Sequence, residues 1–177
     1  MKKTSKLILT ICCVILFSVS IIGVFAYFTS IANKKNDFTI GGNSIEIVED
    51  FEPPEFIEAG ISFKKDVQVK NTGLSDCYVR LKVVFSDSDM EKFCSFTDLN
   101  TTDWIYNPSD NYYYYTPRVA NNELTPSLFT TVAISDTMES YQIKEFEIYV
   151  YAESVQADPF EDYEEAWTEY AKHKTNN

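Results

Sequence analysis

Apolar and polar residues alternate along most of the chain between residues 38 and 155, and this period of two predicts β-strands. Residues 61–69 carry one apolar row that only Lys65 interrupts, and residues 77–85 carry an unbroken one. The turn-forming sequence Asn71-Thr72-Gly73 lies between them. We therefore predict two neighbouring antiparallel strands, each with one face in a core.

The same alternation predicts further strands, separated by turn residues. Residues 103–106 and 112–116 flank a loop rich in Asn, Pro, Ser and Asp, which predicts a hairpin. Other predicted strands cover residues 38–40, 45–47, 128–134 and 143–155, and Gly41-Gly42-Asn43 predicts a turn or a bulge between the first two. A total of about seven or eight short strands favours an all-β fold, a jelly-roll or immunoglobulin-like antiparallel β-sandwich.

One helix is predicted after the last strand. Asp158 is suited to the N-cap, Pro159 to the first helical position, and Glu161 completes a capping box. Aromatic residues then recur at helical spacing, and basic residues fill the last turn, where they complement the helix dipole. We expect a short C-terminal helix over about residues 159–173 that packs its aromatic stripe on the sandwich.

The first 26 residues have the layout of an export signal. A basic end precedes an apolar run from Leu7 to Phe28, and Val24 and Ala26 stand where a signal peptidase requires small residues. We predict cleavage between Ala26 and Tyr27, which yields a secreted product. The alternative is a retained membrane anchor, because an apolar run of this length is just sufficient to span a bilayer.

Three segments follow from these patterns: a signal peptide over residues 1–26, an N-terminal segment over residues 27–40 and a β-sandwich domain over residues 41–177. The formal net charge is −12, and cleavage removes three lysines, which leaves −15. So acidic a chain should repel nucleic acids and anionic lipids. We therefore expect no nucleic-acid partner and contact with the membrane only through the uncleaved leader.

The sequence offers little for catalysis. Its one histidine is His173, and it has no H-E-x-x-H motif, so the usual two-histidine zinc site cannot be built. It also has no G-x-S-x-G motif and only five glycines, with no glycine loop that would hold a phosphate. We therefore expect no enzyme, no catalytic residue, no metal and no cofactor.

Two cysteines, Cys77 and Cys94, remain after cleavage. Outside the cell this pair could form a disulfide. The alternative is two unpaired thiols, one of them buried. The sequence leaves both readings open, because it does not give the distance between the two Cα atoms.

Four consecutive tyrosines at residues 112–115 suggest a binding surface. A strand directs two of them to each face. We predict that Tyr113 and Tyr115 join Tyr149 and Tyr151 in an exposed aromatic surface that contacts sugars or another protein chain. The alternative is ordinary cross-strand aromatic packing.

Several pieces of sequence occur together in an order typical of one family. They are Ala26-Tyr27-Phe28-Thr29, Val69-Lys70-Asn71-Thr72-Gly73, Asp76-Cys77-Tyr78-Val79-Arg80-Leu81-Lys82-Val83, Tyr112 to Tyr115, Leu128-Phe129-Thr130, Val150-Tyr151-Ala152-Glu153-Ser154-Val155-Gln156-Ala157-Asp158, and Trp167. Over nearly its whole length the chain thus resembles the TasA/camelysin family of secreted biofilm-matrix proteins from Gram-positive bacteria, in particular its BsaA-like branch.

The resemblance implies a jelly-roll-like sandwich, cleavage by the signal peptidase SipW, and assembly into extracellular fibres with copies of itself or with related matrix subunits. In such fibres the N-terminal segment of one subunit completes the sheet of the next. The expected donor-strand residues are Tyr27, Phe28, Ile31, Phe38 and Ile40. The alternatives are a camelysin-like metallo-endopeptidase and a monomeric surface adhesin or sugar-binding module.

Overall fold

A computed structural model describes residues 44–175, which belong to one compact unit. In this range the chain forms strands, two α-helices and a short 3-10 helix. In chain order they are β1 (Ile45–Phe51), β2 (Ser62–Asn71), β3 (Cys77–Phe85), α1 (Ser88–Phe93), β4 (Cys94–Phe96), β5 (Trp104–Asn107), β6 (Tyr112–Tyr115), β7 (Thr131–Ile134), the 3-10 helix (Ser140–Gln142), β8 (Ile148–Gln156) and α2 (Tyr163–Thr175).

The strands form two four-stranded antiparallel sheets, in the orders β1-β2-β7-β4 and β5-β6-β3-β8. Strands far apart in sequence lie side by side: β3 pairs with β8 along its whole length, from Cys77 opposite Gln156 to Phe85 opposite Ile148. Such pairing is typical of a jelly roll, in which a long antiparallel ribbon folds over on itself. The predicted all-β antiparallel sandwich with a short C-terminal helix is confirmed.

The core lies between the sheets and is built from the alternating rows of the sequence. Val67 and Val69 of β2 and Val79 and Leu81 of β3 have no exposed surface. The same buried cluster includes Ile45, Trp104, Tyr115, Val119, Leu128, Phe129, Val132, Val150 and Ala152. Full burial of a large apolar side chain contributes about 1.5–3 kcal/mol, so this shared core holds the two sheets together.

β2 and β3 do not pair, so the prediction that they are neighbouring strands was wrong. They lie in different sheets, and the chain crosses between the sheets at residues 72–76. The buried Asn71 amide holds this crossing by donating to the Ser75 and Val119 carbonyls at 2.8 and 2.9 Å, and its Oδ1 accepts the Gly73 N–H. Alternation identifies the buried face of a strand, but it is the same for a hairpin and for a crossing between packed sheets.

The predicted hairpin is confirmed, because β5 and β6 pair antiparallel with Trp104 opposite Tyr115. The predicted strand over residues 128–134 is regular only in its second half, β7. Before it, Leu128 donates to the Val67 carbonyl while the Val67 N–H donates to Phe129, so two residues oppose one as in a β-bulge.

Helix α1 was not predicted, and it explains why β8 begins later than the alternation suggested. The Asp87 side chain caps α1 by accepting the N–H groups of its first turn. Ile143 and Phe146 pack with the buried Met90 of α1. Lys144 binds the Asp87 carboxylate at 3.2 Å. These contacts draw residues 143–146 away from a regular strand.

Helix α2 begins at Tyr163 and not at the predicted residue 159. The Asp158 carboxylate binds Arg118 at 2.9 Å and does not cap the helix. Asp162 is the cap, since its side chain accepts the Glu165 N–H at 2.9 Å. Both aspartates precede the same helical pattern, so the sequence could not distinguish them.

Candidate functional site

Two long strands form the edges on one side of the sandwich. β1 ends the first sheet and β8 ends the second, and their Cα atoms approach within 8 Å. These strands have seven and nine residues, whereas the opposite edges, β4 and β5, have three and four. Long edges are the ones that a protein must either protect or use for pairing.

The backbone of β1 has one bonded row and one open row. In β2, Val69 exchanges hydrogen bonds with Thr125, on the side away from β1. Ile47 lies directly opposite Val69. In an antiparallel pair the backbone N–H and C=O groups of two opposite residues either point towards each other or both point away from the shared ladder. The row of β1 that points away from β2 therefore consists of Ile45, Ile47, Glu49 and Phe51.

β8 has the same arrangement on the second sheet. In β3, Cys77 exchanges two backbone hydrogen bonds with Val119, on the side away from β8. Gln156 lies opposite Cys77, so Gln156 and every second residue before it direct their backbone groups away from β3. This open row of β8 consists of Ile148, Val150, Ala152, Ser154 and Gln156.

Among residues 44–175, no backbone partner reaches either open row. Several residues of these two rows are nevertheless buried: Ile45 of β1 and Ala152 of β8 are 2% exposed, and Ser154 of β8 is 6% exposed. The Ser154 Oγ also lacks a hydrogen-bond partner within this range. A buried polar group without a partner costs about 1–3 kcal/mol, so these edges are suited to accept a further strand.

A charged pair lies on the inner face of the same edge. Lys65 of β2 is 4% exposed, and its Nζ lies 3.1 Å from Glu49 Oε1 on β1 and 5.0 Å from the Phe51 ring centroid. The Glu49 side chain is 35% exposed, and its Oε2 makes no hydrogen bond among the described residues. The only sequence signal for this pair was a lysine that interrupts an apolar row.

Arg80, in the middle of β3, is the centre of a second charged cluster, on the outer face of the other sheet. Its Nε donates to Glu153 at 2.8 Å, and Nη2 binds the same carboxylate. Nη1 donates to the Tyr114 hydroxyl at 2.8 Å, which donates to Asp110 at 2.5 Å. Burial opposes the charge of Arg80, but the Glu153 carboxylate and the Tyr114 hydroxyl together raise its pKa above the ordinary value.

Aromatic rings enclose this guanidinium and attach α2 to the sheet. Arg80 Cζ lies 4.1 Å from the Tyr112 ring centroid and 4.2 Å from that of Trp167, which is 5% exposed. A cavity of about 250 Å³ beside the stack is lined by Arg80, Tyr170, Ala171 and Lys174. The Glu153 carboxylate pairs with both Arg80 and Lys174, whose Nζ lies 3.7 Å from Glu153 Oε1. The cluster therefore holds α2 on the sheet.

The predicted aromatic surface was wrong about which tyrosines are exposed. Tyr113 and Tyr115 face the core, where Tyr115 is 8% exposed and its ring centroid lies 5.1 Å from that of Trp104. The other pair of the run shares the outer face with Tyr149 and Tyr151, which are 39% and 40% exposed. A run of four identical residues gives no signal for which pair faces the core, and the register of the hairpin decides it.

Cys77 and Cys94 are free thiols, which decides between the two alternatives. The Phe85 ring, at the far end of β3 from Cys77, lies 6.3 Å from the Phe96 ring of β4, so Cys94 is near that far end. Eight residues of strand separate the two ends by ~26 Å, whereas a disulfide requires Cα atoms within about 7 Å. Burial raises the pKa of Cys77 to about 12 and that of Cys94 to about 11.

The remaining predicted site residues lie outside the part of the chain that the structure describes. They are the cleavage residues Ala26 and Tyr27 and the donor-strand residues Tyr27, Phe28, Ile31, Phe38 and Ile40. These assignments stay predictions.

No three or more His, Cys, Asp or Glu side chains of residues 44–175 are grouped so that they could hold a metal ion. No helix of the range has the length and apolar character needed to cross a bilayer.

Comparison with known proteins returned no relative: no protein-family model, no curated protein and no solved structure matches the chain.

Proposed function

We propose that the protein is a secreted structural subunit that polymerises into extracellular fibres of a biofilm matrix by strand donation. The observation that carries this proposal is the pair of open backbone rows on β1 and β8, in which Ile45, Val150, Ala152 and Ser154 are buried. An extended segment of a neighbouring subunit satisfies such N–H and C=O groups. The donor and the acceptor are different parts of the chain, so the contact is head-to-tail and produces a filament where it does not close.

Two features of the sequence support the same function. The basic and apolar leader with Ala26 before Tyr27 is the layout of an export signal, and the resemblance to TasA and camelysin assigns its removal to the signal peptidase SipW. The same resemblance makes copies of this chain, or related matrix subunits, the partners in the fibre. The segment after the leader, residues 27–40, is the donor.

Negative-stain electron microscopy of the chain starting at Tyr27 tests the proposal. We expect filaments that grow over days as the concentration rises. A chain starting at Gly41 should keep its circular dichroism spectrum and its cooperative unfolding but form no filaments. Filaments of equal abundance from the shortened chain would refute strand donation, and persistent monomers of the chain starting at Tyr27 would refute the fibre itself.

A second candidate function is sugar binding by a surface adhesin, which the exposure of Tyr149 and Tyr151 on the outer face favours. A glycan array distinguishes it from the first. Binding that is lost in Tyr151→Ala but kept in Tyr141→Ala, a tyrosine 84% exposed elsewhere on the surface, would support this function. Silence of the array would remove it.

A further inference from the structure

The two open edges of the sandwich differ in charge. β8 carries one acidic residue, Glu153, which two cations already bind. β1 carries three acidic residues and no basic one. We propose that β1 binds an extended strand of another polypeptide chain and selects strands whose side chains on the outer face of the sheet are basic. The inference rests on the proposed function, because it names the kind of strand that the accepting edge takes.

The acidic character of β1 continues into the segment that follows it. Residues 44–60 contain six Asp and Glu residues and no Lys, Arg or His. Their cations come from β2, where the Lys64 Nζ lies 2.5 Å from Asp50 Oδ2 and 3.6 Å from Glu52 Oε1. One exposed lysine therefore serves two carboxylates, and the side of β1 that faces away from β2 keeps an excess of negative charge.

The outer face of β1 also holds two carboxylates against each other. Asp50 lies directly opposite Asp66 of β2, and like charges at opposite positions of a sheet are destabilising. The Asp66 Oδ1 is buried and has no hydrogen-bond partner among the described residues. A strand added on the other side of β1 places a side chain beside Asp50, and a basic side chain there offsets the repulsion.

The open backbone row fixes which side chains of an added strand meet these carboxylates. Its bonds go to Ile45, Ile47, Glu49 and Phe51, so the residues opposite them point inward with them. The residues between point outward, beside the even-numbered residues of β1. The strand that fits is therefore apolar at the inward positions and basic at the outward ones.

A second copy of β1 does not meet this requirement. The antiparallel register that pairs the whole strand, with Ile45 opposite Phe51 of the other copy, places Glu46 opposite Asp50 at both ends. A shift of two residues in one direction places Glu49 opposite Glu49, and the opposite shift moves Phe51 beyond the start of the other β1. The charges thus disfavour self-pairing and favour a basic strand.

Two synthetic heptapeptides test the selection. Both alternate valine with a second residue, which is lysine in one peptide and glutamate in the other. Fluorescence anisotropy measures their binding to the chain starting at Tyr27, freshly prepared and kept dilute. We expect the lysine peptide to bind about tenfold more tightly at low salt, because opposite charges replace like charges at several pairs. The difference should narrow at high salt.

Neutralised variants locate the selection on β1. Glu46→Gln with Asp50→Asn should lose most of the preference for lysine. Glu55→Gln with Glu58→Gln is the matched control, since it removes the same charge at exposed positions after β1, and it should keep the preference. Circular dichroism shows whether each variant is folded.

N-methylated peptides distinguish strand pairing from simple attraction between charges. In the proposed register the valine N–H groups point at β1 and the lysine N–H groups point away. N-methylation of the valines should therefore abolish binding, and N-methylation of the lysines should preserve it.

The proposal is overturned if the two peptides bind equally or not at all, if both neutralised variants lose the preference equally, or if N-methylation of the valines has no effect. A dimer that the lysine peptide does not dissociate in sedimentation would assign the edge to a second copy and also overturn it. Filaments together with equal peptide affinities would leave strand donation standing. Selective binding by a chain that never forms filaments would refute the fibre and support the inference.

Discussion

Arg80 and Lys65 lie in similar surroundings and differ in how completely the charged groups around them are paired. Each is a largely buried cation on a strand, with a carboxylate on the neighbouring strand and an aromatic ring close by. Around Arg80 both oxygens of Glu153 have a cation within 4 Å, and α2 covers the cluster. Beside Lys65 the Glu49 carboxylate has a single cation among the described residues, Lys65 itself, and the strand that carries it has an open backbone row.

This difference distinguishes a cluster that holds two elements of the domain together from one that can still bind a partner. A cluster whose donors and acceptors are all engaged holds two elements together and has nothing left to offer a partner. A cluster that is half engaged on an edge strand is stable enough to fold and still gains from a further contact. The outer face of the second sheet thus stabilises the domain, and the β1 edge is where we expect association.

Removal of Arg80 should break the satisfied cluster with the largest effect. Arg80→Ala leaves the Glu153 and Asp110 carboxylates without their main cation and removes the stack on Tyr112. We expect the free energy of unfolding to fall by about 3 kcal/mol in urea titrations. Lys82→Ala, on the same strand and the same face, is the control and should cost less than about 1 kcal/mol. Equal losses in the two variants would show that Arg80 holds no special position.

Neutralising Glu49 of the Lys65–Glu49 pair should lower the free energy of unfolding by a smaller amount, and a second substitution should reverse this loss. Glu49→Gln leaves the buried Lys65 without a countercharge, and we expect a loss of about 2 kcal/mol by the same titration. In Glu49→Gln with Lys65→Met no charge remains, and most of that loss should be recovered. A double variant as unstable as the single one would mean that the pair does not stabilise the edge through its charges.

Substitution of a buried thiol should have the smallest effect on the free energy of unfolding, and this effect appears only at alkaline pH. Burial raises the pKa of Cys77 from 9.0 to about 12, so the folded chain keeps this thiol protonated where the unfolded chain has released the proton. This contribution to stability is present in full below pH 9 and is lost as the pH rises towards 12. We expect Cys77→Ala to flatten the fall in unfolding free energy above pH 9, which urea titrations at pH 8, 9 and 10 measure.

Alkylation supplies the control for the thiols. Iodoacetamide at pH 8 should label Cys77 slowly in the folded chain and both cysteines rapidly in urea. An intact mass two units below that of the reduced chain would contradict the free-thiol arrangement.

The sequence was sufficient to predict which faces of the strands are buried. Val67 and Leu81 are buried because alternation records the solvent boundary, which is a local property of each strand. Pairing is not local. β2 and β3 carry the pattern of a hairpin, but the buried Asn71 turns the chain into the other sheet, and Asn71-Thr72-Gly73 is equally typical of a turn within a hairpin.

The sites were less accessible to prediction than the fold. The ion pair of Arg80 joins residues 73 positions apart, so no local pattern indicates it. Which strands form the edges depends on the order of strands in each sheet, and that order follows from the whole topology. The leader and the donor residues differ from these sites, because they are predicted from the sequence alone.

On both edges the residues with open backbone groups are those whose side chains point inward, as Val150 and Ala152 do on β8. The surface that a partner strand would recognise is therefore made of amides and carbonyls, and the side chains around it belong to the opposite row. Alanine scanning of exposed positions would pass over such a joint. Amide-to-ester replacement along β1 or β8, which deletes single N–H donors and leaves every side chain in place, is the chemistry that can map it.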